Sequence, residues 1–270
     1  MTTTHEQEVV VASAINSTNT NTNSITKFDL ISKRLYEKAI APAPGRAARK
    51  PFVLDSNWVR GTGGLDDADR QTIGDLYFKA SSVFEFGLGE STLIAAAVNV
   101  PRYAGVDSDA VWVSTARDTA IASGMHHFRF YFSDIGRTYS WGRLSLPNLV
   151  KNEYDYQLAA LMAEPRAFDV YLVDGRYRVA CACMSFLHAI KHGHGDLSNV
   201  QVGIHDNNRN LEDGINRRGR HYEVLKEVAD VQIQNGKLLV YKLKSTTDEQ
   251  RTNIEQKLFD LWERIHNDYW

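Results

Sequence analysis

The chain has 270 residues, of which 43% are hydrophobic and 24% are charged, and its formal net charge is −2. This composition is typical of a soluble globular protein, and the near-neutral charge argues against general binding to nucleic acid or to a membrane surface. No apolar run is long enough to span a bilayer, and the N-terminus lacks the layout of a secretory signal. The only cysteines, Cys181 and Cys183, lie two apart in a predicted helix, a spacing that favours neither a disulfide nor a metal pair. We therefore expect a cytoplasmic protein, with an organelle as the alternative.

The N-terminal region differs in composition from the rest of the chain. Residues 1–25 are rich in Thr, Asn and Ser and have little to bury, so we predict a disordered tail. Residues 26–64 are predicted to form an N-terminal extension or cap. They contain a basic cluster, Arg46, Arg49 and Lys50, which we interpret as a solvated linker. A strap over a functional site is the alternative interpretation of that cluster.

Residues 65–270 alternate between strand and helix patterns. The predicted helices are 65–79, 91–98, 110–122, 154–163 and 179–191, and the predicted strands are 82–86, 102–107, 128–132, 168–173 and 200–204. Two further strand patterns flank Asn235-Gly236, which is a strong hairpin signal, and a final amphipathic helix covers 247–268. This order predicts an α/β fold with a doubly wound, mostly parallel seven-stranded sheet and an antiparallel C-terminal hairpin.

The chain is organised around the stretch that follows the first predicted strand. There the backbone turns on Gly87 and Gly89 and enters a helix at Ser91, so glycines and unpaired N–H groups can approach a ligand together. Thr92 stands where the dinucleotide pattern needs a third glycine. Glu85 would repel a pyrophosphate but suits an ammonium group or ribose hydroxyls. The alternative is a structural turn whose glycines serve packing only.

This stretch resembles the first motif of class I S-adenosylmethionine-dependent methyltransferases, in which an acidic residue precedes Gly-x-Gly. Asp107 ends the second strand at the ribose-binding distance, and Asp134 follows the third, where such enzymes contact the adenine amino group. A helix cap and a plain turn are the alternatives for these two acids. The segment 90–92 departs from the family, since many members have another glycine there. The resemblance implies the cofactor S-adenosyl-L-methionine, bound by Glu85, Gly87, Gly89, Ser91, Asp107 and Asp134.

Acidic and amide side chains also follow the fourth and fifth strands. Asp174 and the pair Asp206-Asn207 are hard oxygen ligands that suit Mg²⁺ or another divalent cation. The pattern is similar to catechol-type O-methyltransferases, which implies a metal held by Asp174, Asp206 and Asn207 that acidifies a substrate hydroxyl. The alternatives are that Asp174 binds substrate or caps a helix, and that Asp206-Asn207 forms a turn.

Three basic residues flank these acids. His205 is a candidate general base near neutral pH, so the catalytic candidates are Asp174, His205 and Asp206; a structural histidine is the alternative. Arg176 and Arg178 are candidates for clamping a substrate carboxylate or phosphate, and exposed arginines at a helix start are the alternative.

The sequence therefore predicts an S-adenosylmethionine-dependent methyltransferase that acts on a small molecule, with metal-assisted O-methylation as one version. Aminocarboxypropyl transfer from the same cofactor is an alternative, as is a non-catalytic relative that uses the fold as an interaction module. We expect a small-molecule substrate and neither a nucleic-acid nor a membrane partner. The sequence is compatible with a homodimer and does not identify the methyl acceptor.

Overall fold

The computed structural model describes residues 48–61, 64–136, 153–193, 197–207, 222–244 and 248–268. The predicted tail at 1–25 and most of the predicted extension at 26–64 lie outside these ranges. Within them, none of the helices combines the length and the hydropathy that a membrane crossing requires.

Strands and helices lie within a few residues of their predicted positions. The strands are β1 (Ser82–Phe86), β2 (Arg102–Asp107), β3 (Arg129–Phe132), β4 (Val170–Val173), β5 (Gln201–Ile204), β6 (Ala229–Asn235) and β7 (Leu238–Leu243). The helices are α1 (Asp67–Lys79), α2 (Glu90–Ala97), α3 (Ala110–Ala122), α4 (Ala160–Met162), α5 (Arg178–His192) and α6 (Asp248–Ile265). The helix predicted at 154–163 begins instead as a π-helical turn, Asp155–Ala159, which leads into α4. A 3₁₀ turn, Glu223–Glu227, precedes β6.

The strands form one seven-stranded sheet in the order β3-β2-β1-β4-β5-β7-β6. Strands β1 to β5 are parallel, whereas β7 is antiparallel to both of its neighbours, β5 and β6. This confirms the predicted mostly parallel sheet with an antiparallel C-terminal hairpin. Because parallel strands end at the same edge, the residues that follow β1, β2, β4 and β5 lie together, at the point where the strand order reverses.

The central strand β1 is buried along its whole length, so helices must cover both faces of the sheet. Phe84 and Phe86 belong to a core cluster that includes much of α5, while Val83 belongs to a second cluster with residues of α1, α2 and α3. Cys181 and Cys183 are free and buried in the first cluster, which confirms that they are not joined by a disulfide.

The N-terminus of α1 packs against the hairpin turn that joins β6 and β7. Asp66 caps α1, and Asp69 completes a reciprocal capping box with it. Asp69 Oδ1 also accepts a hydrogen bond from the backbone N–H of Lys237, at 2.8 Å. A side chain at Gly236 would meet Asp69 Oδ1 at 2.5 Å, so the glycine permits this close approach. The contact fixes Asp69 beneath the C-terminal edge of the sheet.

Candidate functional site

The two glycines that follow β1 have different surroundings. Gly87 has φ +88°, and a Cβ atom there would lie 2.7 Å from backbone atoms of Asp174 and Gly175 at the end of β4. Gly87 is therefore required by its own conformation and by the packing of two strand ends. A Cβ atom at Gly89 would meet nothing within 4 Å, although Gly89 directly precedes α2. The open space at the helix N-terminus thus lies at Gly89.

Glu85 is enclosed by hydroxyl groups. Its carboxylate accepts hydrogen bonds from Tyr77 (2.5 Å), Tyr103 (2.5 Å), Thr92 (3.0 Å) and Ser91 (3.1 Å), and the side chain is fully buried. Burial raises the pKa of this carboxyl to about 7, although the four hydrogen bonds oppose the increase. Glu85 and Ser91, both predicted cofactor ligands, are thus hydrogen-bonded to each other. This contact holds the first turn of α2 against β1.

Asp107 fixes the glycine loop from the neighbouring strand. Its Oδ2 accepts a hydrogen bond from the N–H of Leu88 at 2.8 Å, and its Oδ1 accepts one from the N–H of Asp109 at 2.9 Å. Burial raises the pKa of Asp107 to about 6, against the effect of these backbone bonds. Each carboxylate oxygen keeps a second lone pair with which it can accept from a ribose hydroxyl. Asp134 lies in an exposed turn, where its carboxylate accepts from the N–H of Gly136.

Glu90, the first residue of the segment 90–92 that departs from the resembled family, attaches the N-terminal segment to this loop. Its buried carboxylate accepts two hydrogen bonds from Arg70 (2.6 and 2.9 Å) and one from the indole N–H of Trp58 (2.7 Å). Gly61 also lies close to Glu90: a Cβ atom added at Gly61 would be 3.0 Å from Cβ of Glu90. The role of Glu90 was not predicted, and the departure of the segment 90–92 from the family pattern was the signal available in the sequence.

The side chains that follow β4 and β5 converge, as predicted. Single ligand atoms of Asp174, His205 and Asp206 all lie within 4.8 Å of one another. His205 Nδ1 is 3.1 Å from Asp174 Oδ1 and 3.6 Å from Asp206 Oδ1, and His205 Nε2 is 3.0 Å from Asp69 Oδ2. The sequence did not predict the role of Asp69, because acidic residues are common in the first turn of a helix and nothing distinguishes Asp69 from Asp67 there.

These contacts make His205 a cation. Both ring nitrogens face carboxylates, so both must carry protons to donate. Burial alone would lower the pKa of His205, but Asp174, Asp69 and Asp206 outweigh it and raise the pKa to about 10. A histidine that is already protonated at neutral pH cannot accept a proton from a substrate. The geometry therefore does not support the predicted role of His205 as general base.

Arg178 lies between the two carboxylates rather than in solvent. Its Nη2 is 2.8 Å from Asp206 Oδ2 and 3.2 Å from Asp174 Oδ1. Its Nη1 donates to the backbone oxygen of His205 (2.5 Å), and its Nε donates to that of Gly175 (3.0 Å). The side chain is buried, so the expectation of an exposed arginine or a substrate clamp is corrected for this residue.

This arrangement bears directly on the predicted metal site. A divalent cation would need oxygens of Asp174 and Asp206 to converge on it, but the guanidinium of Arg178 already lies between them. As arranged, these two carboxylates do not fit a metal ion. The third predicted ligand, Asn207, is buried, and its Oδ1 has no hydrogen-bond partner among the residues that the structure describes.

The solved structures similar to this chain include a methyltransferase-like protein and two methyltransferases. A methyltransferase-like protein from Silicibacter pomeroyi has a TM-score of 0.54 and 23% sequence identity, over 74% of this chain and 97% of that one. An O-methyltransferase from Bacillus cereus in complex with SAH has a TM-score of 0.43 and 13% identity, over 68% of this chain and 84% of that one. The N-methyltransferase NodS from Bradyrhizobium japonicum has a TM-score of 0.39 and 11% identity, over 78% and 98%. No protein-family model and no curated protein matches the chain.

The first of these similarities, together with the strand order, defines the fold. The chain has the Rossmann-like fold of class I S-adenosylmethionine-dependent methyltransferases. The other two similarities are too weak, at TM-scores below 0.5, to support an inference about this chain. Fold alone does not establish an activity, which must be argued from the site.

Proposed function

We propose that the protein is an S-adenosylmethionine-dependent methyltransferase that acts on a small molecule. The observation that carries the proposal is the open space at Gly89, at the N-terminus of α2 and beside the carboxylate of Asp107. The helix N-terminus offers N–H groups to a carboxylate, and Asp107 offers lone pairs to ribose hydroxyls. S-Adenosylmethionine has both groups, so the residues present fit it. When bound, it would supply a methyl group on a sulfonium centre for transfer to a nucleophile.

Asp174 is the residue best placed to act on the acceptor. Its backbone packs against Gly87, so it lies beside the glycine loop, and 20% of its side chain is exposed. Arg178 and His205 both contact Oδ1, and no described residue donates to Oδ2. Asp174 Oδ2 would accept the proton that a hydroxyl or amine of the acceptor loses on methylation. We assign the proton acceptor to Asp174, because His205 is already protonated.

Metal-assisted O-methylation is the second candidate, and the clustering of Asp174, His205 and Asp206 favours it. It requires Arg178 to leave the space between the two aspartates. If the metal-assisted version is correct, exhaustive dialysis against EDTA abolishes turnover and Mg²⁺ restores it. Unchanged turnover after dialysis removes it.

Calorimetry with S-adenosylmethionine and S-adenosylhomocysteine tests the cofactor site. We expect the wild type to bind both, and Gly89→Val to lose at least about tenfold in affinity, because the new side chain fills the open space. The melting temperature of this variant should stay close to that of the wild type. The absence of binding by the wild type to either compound at millimolar concentration would sink the proposal and leave a non-catalytic interaction module.

Gly87→Val is not a suitable test of cofactor binding, contrary to what the Gly-x-Gly pattern suggests. A side chain there would combine a positive φ with a 2.7 Å approach to the backbone that follows β4, so we expect the variant to unfold.

Product analysis separates methyl transfer from aminocarboxypropyl transfer with the same cofactor. The first reaction releases S-adenosylhomocysteine and the second releases methylthioadenosine.

A further inference from the structure

We propose that Arg178 takes the place of a divalent cation where β4 and β5 end, so that Asp174 and Asp206 are held together by a cation of the protein itself. The sequence places an Asp and an Asp-Asn pair where a metal site is expected, yet a guanidinium lies between the two carboxylates. This structural proposal stands independently of the proposed function. Its consequence for the substrate rests on that function.

Arg178 is fixed by the backbone at both strand ends. Its Nε donates to the carbonyl oxygen of Gly175, directly after the β4 tip, and its Nη1 donates to that of His205, directly after β5. The hydroxyl of Tyr222 also donates to the His205 carbonyl, at 3.1 Å. A planar guanidinium whose donors point at fixed carbonyls has little freedom to rotate away. The position of the positive charge is therefore determined by the fold.

The start of α5 directs Arg178 into this position. Tyr177, the residue before the helix, is buried and has φ +52°, a conformation that is uncommon for a residue other than glycine. Arg178 is then the first residue of α5, four positions after Asp174. The chain accepts local strain at Tyr177 where it begins the helix that carries the buried cation.

A metal ion and Arg178 would compete for the same oxygens. Arginine cannot lose its proton in a protein, so both cations would repel each other if they shared Asp174 and Asp206. Entry of a metal would require the guanidinium to leave, which would deprive its buried donors of the carbonyls of Gly175 and His205. We therefore expect the wild-type protein to bind no divalent cation at this site and to gain no stability from one.

The same geometry indicates the class of acceptor. With Oδ1 of Asp174 occupied by Arg178 and His205, Oδ2 is the oxygen that meets a ligand, and it can accept a hydrogen bond. If the protein is a methyltransferase, its acceptor therefore presents an N–H or O–H group, as an amine or a protonated hydroxyl does. A hydroxyl ionised by direct contact with a metal is the alternative that the buried arginine disfavours.

The decisive experiment measures Mg²⁺ binding to the full chain after treatment with a chelator, by calorimetry and by melting temperature. We expect the wild type to show no binding and no stabilisation at millimolar Mg²⁺. Arg178→Met keeps a long apolar stem but takes away the guanidinium that lies between the two carboxylates, although His205 still contacts both. It should therefore melt at a lower temperature and bind Mg²⁺ at least about tenfold more tightly than the wild type. Stoichiometric Mg²⁺ binding by the wild type that Asp206→Asn abolishes would overturn the proposal.

Two matched variants make the interpretation unambiguous. The double variant Arg178→Met/Asp206→Asn removes one carboxylate with the cation and should not gain Mg²⁺ affinity. Arg178→Lys keeps a positive charge and should remain insensitive to Mg²⁺, and it serves if Arg178→Met does not fold. A folded Arg178→Lys variant that binds Mg²⁺ like a metal site, or a folded Arg178→Met variant that gains nothing, would contradict the proposal. Failure of S-adenosylhomocysteine binding would instead contradict the proposed function and leave these results intact.

Discussion

Carboxylates at the two halves of the sheet edge are stabilised in different ways. Within β1 and at the end of β2, Glu85 and Asp107 accept hydrogen bonds from neutral hydroxyl and backbone N–H groups. After β4 and β5, Asp174 and Asp206 face a buried arginine and a buried histidine instead. Hydrogen bonds from neutral donors only partly offset the effect of burial, which raises the pKa of Glu85 to about 7 and that of Asp107 to about 6. Acids near the same edge of the sheet thus acquire different properties from their partners.

The largest effect is expected at Asp69, the buried partner of His205 in the half of the edge where the acids face cations. Asp69 is fully buried and holds His205 Nε2 and the N–H of Lys237, so Asp69→Ala leaves a charged imidazole and a backbone donor without their partner. We expect a loss of about 3–5 kcal/mol in the free energy of unfolding, measured by urea denaturation. Asp67, in the same helical turn but exposed, is the matched control, and Asp67→Ala should cost much less than Asp69→Ala.

Equal losses for the two aspartate variants would break the comparison, since the buried contact to His205 would then contribute no more than a surface pair. A loss for Asp69→Ala that persists in a His205→Ala background would place the effect in the capping box and the Lys237 contact rather than in the histidine pair.

The neutral-donor half should depend on pH in a characteristic way. The folded pKa of Glu85 is raised to about 7 from an ordinary value of 4.5, so the folded state binds more protons between these pH values. Stability from protonated Glu85 is fully present below pH 4.5 and is lost as the pH rises through 7. The free energy of unfolding of the wild type minus that of Glu85→Gln should therefore fall, by about 3 kcal/mol, over this window.

Denaturation curves at several pH values measure this difference. Glu263→Gln, at an exposed position on α6, is the matched surface control. If the Glu85 difference increases with pH, the hydroxyl hydrogen bonds outweigh burial and the carboxylate is ionised throughout.

The smallest effect concerns the exception within the neutral-donor half. Glu90 has a cationic partner, Arg70, and also accepts from the indole of Trp58. Trp58→Phe removes that single hydrogen bond and should cost about 1–2 kcal/mol in thermal denaturation. Trp112→Phe, at a half-buried position on α3, is the control. A cost no larger than that of the control would mean that Arg70 alone satisfies Glu90.

Local signals explain why the fold and the position of the site could be predicted. The Gly-x-Gly turn, the alternation of strands and helices and the Asn235-Gly236 hairpin are each encoded within a few residues. The rule that parallel strands end at one edge then brings Asp174 and Asp206 together. The partners of these acids could not be predicted in the same way. His205 and Asp69 are 136 positions apart, and no local pattern predicts their contact.

The fate of Arg178 shows the same limit at short range. Its spacing of four from Asp174 suggests a pair, but whether the side chain turns into the protein depends on the backbone at Tyr177 and on carbonyls of another strand. Likewise, the enclosure of Glu85 needs hydroxyls from α1 and β2, Tyr77 and Tyr103, whose side chains meet only in the assembled sheet.

The insertion of β7 between β5 and β6 has a consequence for biosynthesis. Since β6 is made first, the outer edge of β5 stays unpaired until residues 238–243 have left the ribosome. Lys237, beside that strand, supplies the N–H that Asp69 accepts and the carbonyl that binds the N–H of Asn207. The half of the edge that holds Arg178 is therefore completed last during translation. A nascent chain that stalls before β7 exposes a sheet edge that favours aggregation and recruits chaperones.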